Sequence, residues 1–76
     1  MKIGIIAAME QELVLLVEQL ENKVEEIVLG NIYYTGRLGK HDVVLVQSGV
    51  GKVMSAMSVA VLADHFEVDA LINTGS

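Results

Sequence analysis

Residues 2–12, Lys2-Ile-Gly-Ile-Ile-Ala-Ala-Met-Glu-Gln-Glu12, pass abruptly from an apolar run to an acidic one. Ile3 to Met9 are uncharged, mostly small or β-branched, and show no polar alternation. That pattern predicts a strand covered on both faces, the usual state of a central parallel strand in an α/β sheet. Glu10 and Glu12 then open a helix, because first-turn carboxylates are favoured by the free backbone N–H groups and the positive end of the helix dipole. Open α/β sheets bind ligands beyond the carboxyl ends of their strands. Met9 to Glu12 is therefore the first place to look for chemistry.

Downstream, Leu13, Leu16, Val17 and Leu20 recur at spacings of three and four, which predicts an amphipathic helix from Glu10 to about Glu21, ended by Asn22-Lys23. Val24 to Leu29 reads as extended, and Gly30-Asn31 as a tight turn. In the next stretch Ile32, Tyr34, Gly36 and Leu38 alternate with Tyr33, Thr35 and Arg37, the mark of a strand with one half-exposed face. A turn at Gly39-Lys40-His41-Asp42 leads into Val43 to Gln47, so residues 24–47 form an antiparallel meander. Gly51 to His65 predicts a helix apolar over much of its surface, hence buried or pressed against a partner subunit. The strand Ala70 to Asn73 returns parallel after this crossover. Three strand-to-loop junctions, at Met9, Ser48 and Gly75, then converge on one edge of one sheet.

Composition bounds the function. The chain has 76 residues, 53% of them apolar, and no Pro. A chain of this size buries only ~60% of its unfolded surface, and its apolar runs call for more covering layers than that. Asp69 to Ser76 ends on a strand and the start of a loop, so the expectation is the first part of a longer protein. Net charge is −5, and Lys2, Lys23, Arg37, Lys40 and Lys52 are scattered, which argues against a nucleic-acid groove. The absence of Cys excludes disulfide and thiolate chemistry. No apolar run approaches the ~20 residues of a membrane helix, and the short apolar start lacks a cleavage site. A cytoplasmic protein is expected. His41 and His65 have no second ligand at metal spacing, so no metal site is expected.

Gly49-Val50-Gly51-Lys52 fails as a phosphate loop, with Val46 where Gly is needed and Val53 where Ser or Thr is needed. The dinucleotide fingerprint fails as well, since Ile6 and Met9 follow Gly4 where glycines belong. Both glycines read as backbone-driven turn residues, compatible with an N–H offered to a ligand. Met9, Met54 and Met57 read as core filler. Glu10 and Glu12 are either solvated first-turn residues or catalytic ones. Thr74 and Ser76 either cap a following helix or contact a ligand.

Four pieces, Lys2 to Glu12, Tyr34-Thr-Gly36, Ser48-Gly-Val-Gly-Lys-Val53 and Ile72-Asn-Thr-Gly-Ser76, resemble in order and spacing the amino-terminal part of bacterial 5'-methylthioadenosine/S-adenosylhomocysteine nucleosidases, a nucleoside-phosphorylase-like family. The likeness runs through the whole chain. Ala7 departs from a familiar Gly, and Val50 from an expected Ile; the lost methylene bears on the substrate's sugar or thioether side, not on the reaction. The resemblance implies an α/β fold with a mixed central sheet flanked by helices, residues 1–76 being part of a single nucleosidase domain truncated after Ser76. It implies a homodimer without cofactor that hydrolyses the N-glycosidic bond of methylthioadenosine and S-adenosylhomocysteine, in methionine salvage and removal of the methyl-cycle by-product.

By the same resemblance Glu12 is the general base on water and Ser76 lies near that water. Ala8, Met9 and Val50 line the sugar and its 5' substituent, and Glu10 is structural. The leaving-group acid, the ribose-binding Glu and the adenine-stacking aromatic fall beyond Ser76, so the chain alone is expected to be inactive. Hydrolysis rather than phosphorolysis is expected from the chemistry too. An attacking phosphate needs Arg or Lys beside it, and the single Arg, Arg37, lies in the meander. Two alternatives are a related nucleosidase acting on aminofutalosine and a non-enzymatic, receiver-like α/β domain. The latter requires an Asp at a central strand end, where this chain has Ser48 and Thr74-Gly75.

Overall fold

A computed structural model of the chain describes residues 1–28, 30–47 and 59–74. The elements are β1 (Lys2–Ala7), α1 (Glu10–Gln19), β2 (Glu21–Val28), β3 (Asn31–Leu38), β4 (His41–Gln47) and β5 (Ala70–Thr74). Residues 59–64 are helical as well. One mixed sheet takes the order β2-β3-β4-β1-β5. β1 is parallel to β4 and to β5, while β2, β3 and β4 form the expected antiparallel meander.

The apolar run of β1 is two-sided because both sides are covered. Ile5 and Ala7 pack with Val43 and Leu45 of β4 and with Leu13 of α1 and Leu20, Leu16 and Val17 adding partial cover. On the other face Ile6, Val44 and Val46 meet Val61, Leu62 and Phe66 from the segment that leads to β5. Fully burying such side chains contributes roughly 1.5–3 kcal/mol each, and the period of two along β1 and β4 divides them between the layers.

Two local readings are corrected. α1 ends at Gln19 rather than near Glu21, because Leu20 is already extended (φ −73°, ψ 135°) with its side chain buried and its N–H on the Val17 carbonyl. Asn22, read as a helix stop, instead takes φ 55° within β2, where the register against β3 shifts. Asn tolerates that left-handed conformation better than most residues. In β3 the side shared by Tyr33 is not simply the exposed one. Tyr33 is fully buried opposite Val46, its ring 5.2 Å from that of Phe66, whereas Ile32 is largely exposed. The segment after residue 59 covers that side of the hairpin, and alternation alone does not reveal it. His65 of this segment also contacts Glu26 of β2. Residues 51–58 of the expected second helix lie outside the described residues. Among the described residues no helix is long and apolar enough to cross a membrane.

Candidate active site

Ala7 pairs with Gln47 on one side and with Thr74 on the other, so β4, β1 and β5 end level. The expected convergence of strand ends is present at this edge. Ser48, Val50, Gly75 and Ser76, the residues anticipated beyond two of those ends, lie outside the described residues.

The β1 end is fastened to β5. The Ala8 N–H donates to the Thr74 carbonyl at 3.3 Å, and the Thr74 hydroxyl donates to the Ile6 carbonyl at 3.5 Å. Thr74 had two readings, ligand contact or helix cap; its hydroxyl instead laces two parallel strands together. Ala8 and Met9 make the whole connection from strand to helix. Met9 is extended (φ −119°, ψ 142°), and its carbonyl accepts the Leu13 N–H at 3.1 Å. Its side chain is 54% exposed, which corrects the core-filler reading. Ala8 is exposed beside it.

Glu12 sits in the first turn of α1, half-buried, between exposed Gln11 and buried Leu13. Leu13 anchors the helix on the sheet, and Leu16, one turn on from Glu12, packs on the same cluster. Glu12 is therefore held in the anchored first turn of the helix, next to the edge where the strands end. Glu10 is exposed. A depression of about 390 Å³ on the outer side of α1 is lined by Glu10, Gln11, Val14 and Leu15, and does not include Glu12.

Among the described residues, no Arg or Lys lies at this edge. Arg37 pairs with Asp42 at 3.9 Å, both well exposed, and Asp42 stands beside Lys2 at the opposite edge of the sheet. From Asp42 to Gln47 the strand covers roughly 16 Å at ~3.3 Å per residue. Lys40, in the turn before β4, lies at that far edge too. Lys52 is outside the described residues.

The sequence model of the Phosphorylase superfamily matches residues 2–76. The chain belongs to this superfamily. Its mixed α/β sheet is accordingly of the nucleoside-phosphorylase type. One superfamily relative, the 5'-methylthioadenosine/S-adenosylhomocysteine nucleosidase of Geobacillus sp. (strain WCH70), is 47% identical over 100% of this chain and 33% of its own length. The structure of the S. pneumoniae nucleosidase of the same name, solved with a transition-state inhibitor, superposes with a TM-score of 0.93 at 71% identity, covering 100% of this chain and 33% of that one. A Helicobacter pylori futalosine hydrolase mutant is more distant, at 27% identity and a TM-score of 0.88 over 97% of this chain and 33% of its own. The chain spans about a third of the length of the curated relatives it matches.

Tyr33 is the residue that sequence reasoning passed over. Its hydroxyl is buried without a hydrogen-bond partner among the described residues. The adjacent pair Tyr33-Tyr34 places a large ring on each face of one strand but does not indicate which face another segment covers.

Proposed function

We propose that the protein containing this chain hydrolyses the N-glycosidic bond of 5'-methylthioadenosine and S-adenosylhomocysteine, with Glu12 as general base. The observation that carries this reading is half-buried Glu12 in the first turn of α1, beside the edge where three strands end, in a chain 71% identical to a nucleosidase. Glycosidic cleavage passes through an oxocarbenium-like transition state. A carboxylate beside the sugar stabilises the developing positive charge. It also takes one proton from the attacking water as the oxygen bonds to the anomeric carbon and the carbon–nitrogen bond breaks, the electron pair leaving with adenine.

Ala8, Met9 and Val50 line the sugar and its 5' substituent, and Ser76 stands near the water. Protonation of the departing adenine needs a general acid, worth a factor of ~100 to 10,000, which these residues do not offer. Residues 1–76 are thus one part of a single nucleosidase domain. The protein is a cytoplasmic homodimer in which the apolar stretch 51–65 packs partly against a second subunit; light scattering showing a monomer at micromolar concentration would contradict this. The futalosine reading ranks behind, supported by 27% identity against 71%.

The test is adenine release from methylthioadenosine, run side by side on the 76-residue chain and on a chimera in which the remaining S. pneumoniae sequence follows Ser76. Release by the chimera alone is the expected result. Release by neither removes the nucleosidase reading, and release by the short chain removes the need for a separate acid.

A further inference from the structure

Thr74 closes β5 with two bonds to β1, and a strand needs only one of them. Its carbonyl takes the Ala8 N–H at 3.3 Å in the manner of a parallel ladder, while its hydroxyl donates to the Ile6 carbonyl at 3.5 Å. The two bonds bracket Ala7, the residue in register with Thr74. Val is β-branched as well and would suit this strand position equally. The hydroxyl is therefore an addition to the sheet. Among the described residues it makes the one side-chain hydrogen bond at the edge where β4, β1 and β5 end; the others join Asp69 to Lys2, Thr35 to Val24 and His65 to Glu26. Ile6 is only 2% exposed, so water cannot reach its carbonyl to replace a lost donor.

From this bracket the backbone runs to Glu12 with little slack. Ala8 is tied to Thr74 through its N–H, and Met9 is tied to Leu13 through its carbonyl. Those two residues are the whole connection between β1 and α1. Leu13 presses the first turn of α1 onto the face of the sheet, and the Thr74 bonds hold the start of that turn to the end of β1. A general base works only within hydrogen-bond reach of the proton it takes, ~2.6–3.2 Å. Misplacement by ~1 Å costs a factor of up to ~100.

We infer that Thr74 is a positioning residue for glycosidic hydrolysis: its hydroxyl holds the end of β1, and through Ala8 and Met9 the first turn of α1, where Glu12 meets the attacking water. The inference rests on the nucleosidase reading. Thr74 acts through Glu12 and not on the substrate.

The experiment measures adenine release from methylthioadenosine by the chimera with the S. pneumoniae remainder, carrying Thr74→Val, Thr74→Ser or Thr74→Ala, each in the parent and in a Glu12→Gln background. Thr74→Val should lower kcat roughly tenfold with KM unchanged, since a misplaced base weakens the transition state and not substrate binding. Thr74→Ser should restore kcat to within about threefold of the parent. In the Glu12→Gln background Thr74→Val should change residual turnover less than about twofold, because its effect passes through a base already lost. Thr35→Val removes a hydroxyl bonded to the Val24 carbonyl at 3.4 Å, away from this edge, and should leave kcat as it was. Ser and Ala both lack the methyl and differ in the hydroxyl alone, so the contrast between them decides the matter if circular dichroism shows Thr74→Val misfolded. An active parent whose hydroxyl-free variants keep full kcat, or lose turnover equally in both Glu12 backgrounds, overturns the role and leaves the nucleosidase reading standing. A parent chimera that releases no adenine removes that reading and the role with it.

Discussion

Glu12 owes its position to the residue after it. Leu13 is buried against Ile5, Ala7 and Leu45, and this contact fixes the first turn of α1 beside the strand ends. In the chimera with the S. pneumoniae remainder, Glu12→Gln should lower turnover by ~100- to 10,000-fold, the range of general acid–base catalysis, with unchanged circular dichroism. Exposed Glu10 should tolerate the same change. Equal losses at the two positions, or none at Glu12, would remove the assigned base. Tyr33 makes the opposite kind of claim. A buried hydroxyl without a partner costs ~1–3 kcal/mol, so in the chimera with the S. pneumoniae remainder Tyr33→Phe should raise stability by up to ~1 kcal/mol, a rise in Tm of roughly 2–4 °C for a domain about three times this length. A fall of that size in a melting experiment would show that the hydroxyl holds a bond. The acidic first turn was legible because carboxylates belong at helix starts. The burial of Tyr33 was not, because alternation sorts a strand's residues into two sides without saying which side another segment will cover.

Three elements meet closely at Gly36. A Cβ placed there would lie 2.9 Å from the Leu20 Cβ and 3.0 Å from the Glu21 carbonyl oxygen, so β3 passes directly under the joint between α1 and β2. That joint is backbone and cannot rotate away. Gly36→Ala should cost ~1–3 kcal/mol, the usual range for overpacking. Gly4→Ala should cost less, since its neighbours at 3.1–3.3 Å are the side-chain tips of Leu71, Leu62 and Val68, which can shift. Urea denaturation of the two variants gives the comparison, and the reverse order would contradict this account of the joint. The same joint explains why the start of α1 was legible and its end was not. Glu10 begins the helix as the acidic cluster predicts. Leu20 keeps the helical apolar spacing while its backbone has already left the helix, so the pattern overruns the structure.

Over the whole molecule, the parallel and antiparallel halves of the sheet divide the work. The meander of β2, β3 and β4 supplies an outer scaffold, and β4, β1 and β5 bring their carboxyl ends level at the candidate site. The direction of β5 was legible from the crossover that precedes it, and the meander from its two turns. The five-strand order was not, since register between distant segments leaves no local trace. Nor did the residues of the site by themselves distinguish a base from a solvated carboxylate; the base is the proposal that the Glu12 substitution tests. The separation of roughly 16 Å between the level strand ends and the Arg37–Asp42 pair, five residues at ~3.3 Å each, leads to the central claim, that water and not phosphate attacks. Its most direct test is adenine release from methylthioadenosine by the chimera, with and without phosphate in the buffer. The account predicts full activity in phosphate-free buffer and no gain on adding phosphate. Activity that appears only with phosphate, with a sugar phosphate as product, would make the protein a phosphorylase and take Glu12 out of its role as base.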